Sequence, residues 1–449
     1  MKRLLFVLSA LSACLALYSQ NTSSWEELYL SQTNVSGIYA AGEKAAVYAE
    51  YFGENPASFT VTVSSNGFQL EKRYKVKIPA GKKTLLYEDS FFTPSAVKVD
   101  VASTLDPEKV ASIGLVVNPE GFRPGFDEPA DFMDFWQKQI AAMRSLPIEA
   151  TLEPFELTGK LAAYADKVEI YEVEINMHEG RPVRAYVAWP KDALDHSLPI
   201  TIHPHGAGVR SADPRYAVEW AMKGTITMDI NAHGLPNGKP KSFYEEYNTG
   251  ELADYRTRRI VNHEQYYFRL MYLRMQRAVD WMTTLPLWDG KKIAAMGRSQ
   301  GGGQAEFIAG VDSRVGFASF EVPALTDFGG MLASHRCGWP RSVGQCAYEG
   351  GDAELYREIL PYYDGVNFLR HTSAQVVMEA GLTDETCAPE AVISGFNVCP
   401  SESKVLYIAP WRPHVIGQME KREYDNWFKT IETPRIEAAE NYIKQKIIQ

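Results

Sequence analysis

A serine set among glycines, with an apolar run before it and a helical run after it, constrains this chain more than any other feature. Lys292-Ile293-Ala294-Ala295-Met296 has the character of a buried strand, and Gln304-Ala305-Glu306-Phe307-Ile308-Ala309 reads as a helix. Between them stand Gly297-Arg298-Ser299-Gln300-Gly301 and then Gly302-Gly303. A chain that passes from strand to helix in so few residues must turn sharply. Such a turn projects the side chain at its tip, and small flanking residues let the backbone pass closely. The projected group here is the Ser299 hydroxyl, which predicts a nucleophile. The plain alternative is a G-x-S-x-G that arose by chance in a glycine-bearing turn, and the flanking strand and helix weigh against it.

A serine nucleophile needs a base and an acid, and behind a strand–turn–helix of this kind they follow in the order Ser, Asp or Glu, His. Of the nine histidines only His335, His371 and His414 come after Ser299. Gln375-Val376-Val377-Met378-Glu379-Ala380-Gly381-Leu382 reads as a buried strand, and Thr383-Asp384-Glu385 leaves its end. His414 alone follows Asp384, in a loop after the short apolar run Val405 to Ala409. Order therefore predicts Ser299, Asp384 and His414 as the catalytic residues, with Glu385 the neighbouring rival for the acid. Read structurally, Asp384 would be a turn or cap residue and His414 a surface histidine. Developing charge on an attacked carbonyl oxygen calls for two backbone N–H donors. One is expected from Gln300, the residue after the nucleophile. The other is expected from Ala207, with Gly206 close behind, in His203-Pro204-His205-Gly206-Ala207-Gly208 after the strand Leu198 to Ile202. The His203/His205 pair also permits a metal reading, but no further ligand cluster accompanies it, so no metal and no cofactor are expected.

With these residues in view, the chain from about Arg123 onward resembles the acetyl xylan esterase and cephalosporin C deacetylase family of α/β-hydrolases. The resemblance is carried by Gly297 to Gly303, His205-Gly206, Gly381-Leu382-Thr383-Asp384-Glu385-Thr386-Cys387-Ala388-Pro389 and His414. It is supported by the aromatic helix opening at Phe132 to Trp136 and by the long helix from Tyr266 to Asp280. Two departures stand out. Asp229-Ile230-Asn231-Ala232-His233-Gly234 occupies the place of the family's Arg-Gly-Gln, and Val415 replaces a glutamate after the histidine. The resemblance implies an α/β fold, removal of acetyl groups from xylan or its oligosaccharides, a small acyl pocket, and room for homo-oligomerisation.

Composition sets outer bounds. A net charge of −10, without a basic cluster, argues against nucleic acid and anionic membrane surfaces as partners. It is compatible with an acetylated oligosaccharide or polysaccharide. Residues 1–19, with Lys2-Arg3 before an apolar stretch, read as an export signal, which places the protein in the periplasm or outside the cell. Cys14 offers an alternative lipid attachment, and no other run is long enough for a transmembrane span. An oxidising setting would allow Cys337–Cys346 and Cys387–Cys399 disulfides, with buried thiols the other reading.

Residues 20–118 change character. Short alternating segments with turn residues between them, such as Phe59 to Val63 and Ala96 to Val101, suggest a small all-β sandwich of immunoglobulin-like type. This region has no histidine and is expected to pack, assemble or bind glycan rather than catalyse. Residues 119–130 read as a linker. Residues 131–449 alternate short strands with helices, including a closing helical period near Tyr424 to Gln449, the pattern of a mostly parallel sheet covered on both faces. The short basic run Arg256-Thr257-Arg258-Arg259 reads as a solvated helix start. The expected function is an exported serine carboxylester hydrolase working through an acetyl-enzyme. The rivals are a serine peptidase or general carboxylesterase on the same fold, a metal-dependent deacetylase, and a non-catalytic glycan-binding protein.

Overall fold

The computed structural model describes residues 27–67 and 69–445, so the expected export signal and Cys14 lie outside the described residues. Two compact units emerge. One comprises the described residues up to Pro119 together with Gly381–Glu385 and Ile408–Thr430; the other comprises Glu120–Ala380, Thr386–Tyr407 and the described residues from Ile431 onward.

The N-terminal region of the first unit carries eight strands: β1 (Leu28–Gln32), β2 (Ile38–Tyr39), β3 (Lys44–Tyr51), β4 (Ala57–Ser65), β5 (Gln69–Ile78), β6 (Thr84–Ser90), β7 (Ser95–Ser103) and β8 (Val110–Val117). They form a three-stranded sheet, β1-β3-β6, and a five-stranded sheet, β2-β8-β7-β4-β5. Alternation explains why the sheets close on each other. Phe59, Val61 and Val63 of β4 are fully buried while Thr60 and Thr62 are not, so one face is apolar. Val97, Val99 and Val101 of β7 join Ala45, Val47 and Ala49 of β3 in a single core, which makes the pair of sheets a sandwich. Exposed Lys72, Arg73, Lys75 and Lys77 line the edge strand β5, where charge discourages pairing with another chain.

The second unit is built on nine strands: β9 (Ala150–Pro154), β10 (Val168–Ile175), β11 (Val183–Pro190), β12 (Leu198–Pro204), β13 (Ile226–Ile230), β14 (Trp288–Arg298), β15 (Val315–Glu321), β16 (Gln375–Gly381) and β17 (Lys404–Ala409). Their order is β17-β16-β15-β14-β12-β13-β11-β10-β9. Pairing is parallel from β13 through β12, β14 and β15 to β16, and antiparallel from β9 through β10 and β11 to β13. Both faces are covered. Ile293, Ala294, Ala295 and Met296 are all buried although alternate residues point to opposite sides. Ala294 and Met296 pack with Trp220, Ala439 and Ile443. Elsewhere in the unit, helix Phe132–Arg144 sets Trp136 against Phe307 at 4.9 Å, and Tyr272 stacks on Phe307 at 4.7 Å. The expected aromatic opening helix and the long helix, observed as Phe268–Met282, thus meet the helix that follows Ser299.

Two helix expectations need correction. The closing helix read from Tyr424 to Gln449 is broken: Lys421–Trp427 is followed by a π-helical turn, Phe428–Glu432, and only then by Thr433–Lys444. Pro434 cannot supply a backbone N–H, so a new helix starts around it. The basic run Arg256 to Arg259, expected to begin a helix, lies in turns with Arg259 at φ 60°. Of the two readings open for Cys337, Cys346, Cys387 and Cys399, the thiol one applies. Residues in the stretch 119–130 make bonds within the second unit: Gly125 N–H donates to Asp327 at 3.0 Å, and Asn397 donates to the Phe122 carbonyl at 3.1 Å.

Candidate active site

Ser299 stands at the junction of β14 and the helix Gln300–Val311, with φ 55° and ψ −128°. A residue with a Cβ held in that region costs about 1–3 kcal/mol, so the surroundings must impose it. They do so through the backbone. Ser299 N–H donates to the Glu321 carbonyl at 3.0 Å, and the Ser299 carbonyl accepts from Ala324 at 2.9 Å and Gly303 at 3.2 Å. The flanking glycines are demanded by close approach. A Cβ on Gly297 would overlap the Gly301 carbonyl, and one on Gly301 would overlap the Pro204 carbonyl. That second contact presses the loop after β12 against the turn.

The loop places the expected donors. His205 is buried, its Nδ1 2.6 Å from the Gly206 carbonyl and its Nε2 3.1 Å from the Ala232 N–H. The carbonyl can only accept and the N–H can only donate, so the ring is neutral with its proton on Nδ1. Burial first, and the Arg210 charge next, push its pKa down to about 3, which keeps it in that form. No lone pair is left for a metal. Because His205 holds the Gly206 carbonyl, the trans peptide aims the Ala207 N–H the opposite way. Neither that N–H nor the N–H of Gln300 has an acceptor among the described residues. Both are available to an oxyanion.

A layer behind the loop fixes these positions, and reading the sequence missed it. Tyr255 donates to the Gln300 side chain at 2.6 Å, and the Gly208 N–H reaches the same phenol oxygen at 3.5 Å. His233 packs edge-on against Tyr255 and contacts the Tyr267 hydroxyl at 2.7 Å. Asn231, where the family pattern departs, accepts from the His233 and Leu235 N–H groups and donates to the Arg210 carbonyl. The departure therefore falls on the scaffold of the loop. Asn231 and His233 carried a sequence signal, as departures from the family pattern; Tyr255 carried none.

In the other unit Asp384 and His414 come together. Asp384 is fully buried, and its Oδ2 lies 2.8 Å from His414 Nδ1. An ionised carboxylate only accepts, so Nδ1 carries the proton and Nε2 is left as the basic nitrogen. Glu385 is more than half exposed and is paired instead with Lys98. The two loops are tied to each other: Leu382 N–H donates to the Ala409 carbonyl at 3.0 Å, and buried Arg412 donates to the His414 carbonyl at 3.0 Å. The remaining late histidines are engaged elsewhere. His335 sits between the Arg123 and Arg336 carbonyls, and His371 pairs with Glu128.

The sequence profile of acetyl xylan esterase (AXE1) matches residues 118–430. The chain belongs to the acetyl xylan esterase family. It is accordingly a carboxylic ester hydrolase on an α/β-hydrolase fold, as the motifs led one to expect. Acetyl esterase Axe7A of Xylanibacter ruminicola is 26% identical over 430 residues, covering 91% of this chain and 92% of the relative. That span must run into the N-terminal sandwich. Two solved structures share the fold. An acetyl xylan esterase from Paenibacillus sp. R4 has a TM-score of 0.58 and 23% identity, covering 70% of this chain and 98% of its own. Acetyl xylan esterase 1 from Thermoanaerobacterium sp. JW/SL YS485 has a TM-score of 0.53 and 20% identity, covering 66% and 92%. No helix among the described residues is long and apolar enough to cross a membrane.

Proposed function

We propose that this family member is an exported serine esterase that removes acetyl groups from xylan or xylo-oligosaccharides through an acetyl-enzyme. Ser299 attacks the ester carbonyl, His414 Nε2 takes the hydroxyl proton and returns it to the leaving sugar alcohol, and Asp384 holds the imidazole tautomer. The N–H groups of Gln300 and Ala207 stabilise the tetrahedral oxyanion. Water, activated by the same histidine, then releases acetate. The observation that carries the reading is the strained backbone at Ser299, imposed at the tip of a turn whose neighbouring N–H groups are unengaged. The Asp384–His414 pair supports it independently. Substrate class comes from the family and from the names of its relatives. The proposed organisation is an export signal in residues 1–19, a sandwich in 20–118, a connecting stretch in 119–130 and a catalytic domain in 131–449.

Acetate release from acetylated xylan, with and without a serine-reactive phosphonate and a chelator, tests the proposal. Release should stop with the phosphonate and persist with the chelator. The reverse pattern would indicate a metal-dependent deacetylase, and no release at all would leave the protein a binder or an esterase for another substrate.

A further inference from the structure

We infer that the β-sandwich is the seat of the acid–base half of the catalytic site, with Gly114 setting the spacing of its two loops and Lys98 acting as a positioning residue for Asp384 through Glu385. The inference rests on the roles proposed above for Asp384 and His414. Both loops, Gly381–Glu385 and the start of Ile408–Thr430, belong to the same compact unit as the sandwich.

Three separate parts of the sandwich touch them. On β8, the Gly114 N–H donates to the Pro410 carbonyl at 2.8 Å. The same residue lies so close to Leu382 that an added Cβ would overlap the Leu382 side chain and come within 2.6 Å of its carbonyl oxygen. One glycine thus meets both loops, two residues before Asp384 and four before His414. Beneath it, Gln32 donates to the Gly114 carbonyl at 3.1 Å and accepts from Tyr39 at 3.1 Å, so the contact point is itself held. Trp411 packs against the sandwich core. On β7, Lys98 is paired with Glu385 and lies 3.1 Å from Asp100, which in turn accepts from Ser112 at 2.5 Å.

A solvated ion pair on a surface would contribute little. Lys98 differs because its side chain is only 18% exposed and is held by a second carboxylate. Burial pulls the ammonium's pKa down, and Asp100 and Glu385 together outweigh that pull. The pair therefore fixes the backbone of Glu385, whose immediate neighbour must keep its carboxylate on His414 Nδ1. An error of about 1 Å in such an arrangement lowers turnover by about 100-fold.

The experiment measures kcat and KM for 4-nitrophenyl acetate in the full chain, with thermal unfolding as a check on folding. Lys98→Met should lower kcat about ten-fold with KM nearly unchanged, and Lys98→Arg should recover most of the loss. In a Glu385→Gln background Lys98→Met should have no further effect, since the lysine acts through that carboxylate. Gly114→Ala should cost more, about 100-fold in kcat, by pushing the loops apart. If Gly114→Ala does not fold, the lysine variants decide. Wild-type kcat in Lys98→Met, a loss confined to KM, or full additivity with Glu385→Gln would overturn the inference. Failure of the underlying triad would show separately, as wild-type activity in Asp384→Asn.

Discussion

Asp384 and Glu385 are adjacent in sequence and opposite in environment. Asp384 is sealed from solvent against an imidazole, while Glu385 faces outward toward an ammonium. Asp384→Asn should therefore keep the fold but favour the wrong imidazole tautomer, lowering kcat about 10⁴-fold. Glu385→Gln should cost far less, by ten-fold or so if the carboxylate only positions its neighbour. Steady-state kinetics of the two variants check this, and a reversal would move the acid by one residue. His205 is the second residue whose role lies in its bonds, one to the Gly206 carbonyl and one from the Ala232 N–H. Replacing it by Leu frees the Gly206 carbonyl and, with it, the aim of the Ala207 N–H. A loss of about 100-fold in kcat is expected, the scale on which one oxyanion donor acts. KM should move little, because the donor matters most once charge develops. An unchanged kcat would remove Ala207 from the oxyanion hole.

At the scale of elements, what could be read from the sequence was what is local. Strand β14, the turn and the following helix are contiguous, and the glycines they require stand within a few residues of Ser299. The ends of β16 and β17 could be found because apolar runs stop there. Contacts between distant segments could not. Lys98 and Glu385 are 287 residues apart, and neither residue announces a partner. Gly114 looks like any glycine in a strand until Leu382 is seen lying on it. Tyr255, which ties the Gln300 side chain to the Gly208 N–H, sits in a run of turns with no periodic signal. The closing helix was over-extended because its helical period continues through Pro434, where a proline early in a new helix is as acceptable as one that ends an old helix. The basic run Arg256 to Arg259 failed for the opposite reason: charge says where solvent is, not which backbone conformation is taken.

At the scale of the whole molecule, several buried or half-buried histidines are held as neutral rings. His203, stacked on Tyr216 at 5.8 Å, has its pKa pushed down to about 3, by burial first and then by the Arg435 charge. His205 behaves alike, and His233 is lowered by burial and then by His205. In the unfolded chain each returns to the ordinary value near 6.5. As pH falls from about 6.5 toward 3, the unfolded state takes up protons that the folded state refuses, so the stability these groups contribute is lost through that window. Buried acids act the other way. Burial and then the Asp327 charge raise Asp364 to about 8, so its contribution is complete at low pH and is lost as pH rises through that value. The histidine part is isolated by His203→Gln, whose Tm should fall less steeply than that of the wild type between pH 6.5 and 4. Parallel Tm curves would show that His203 titrates freely in the folded protein.

The central claim is a covalent one, that Ser299 carries the acetyl group between two half-reactions. Rapid mixing of the enzyme with excess 4-nitrophenyl acetate, followed by acid quench and peptide mass analysis, addresses it directly. The account predicts an acetyl group on the peptide containing Ser299 that forms within the first turnover, disappears as substrate is exhausted, and is absent in Ser299→Ala. An active wild type with no acetyl-enzyme, or acetate release at the wild-type rate in Ser299→Ala, would contradict it.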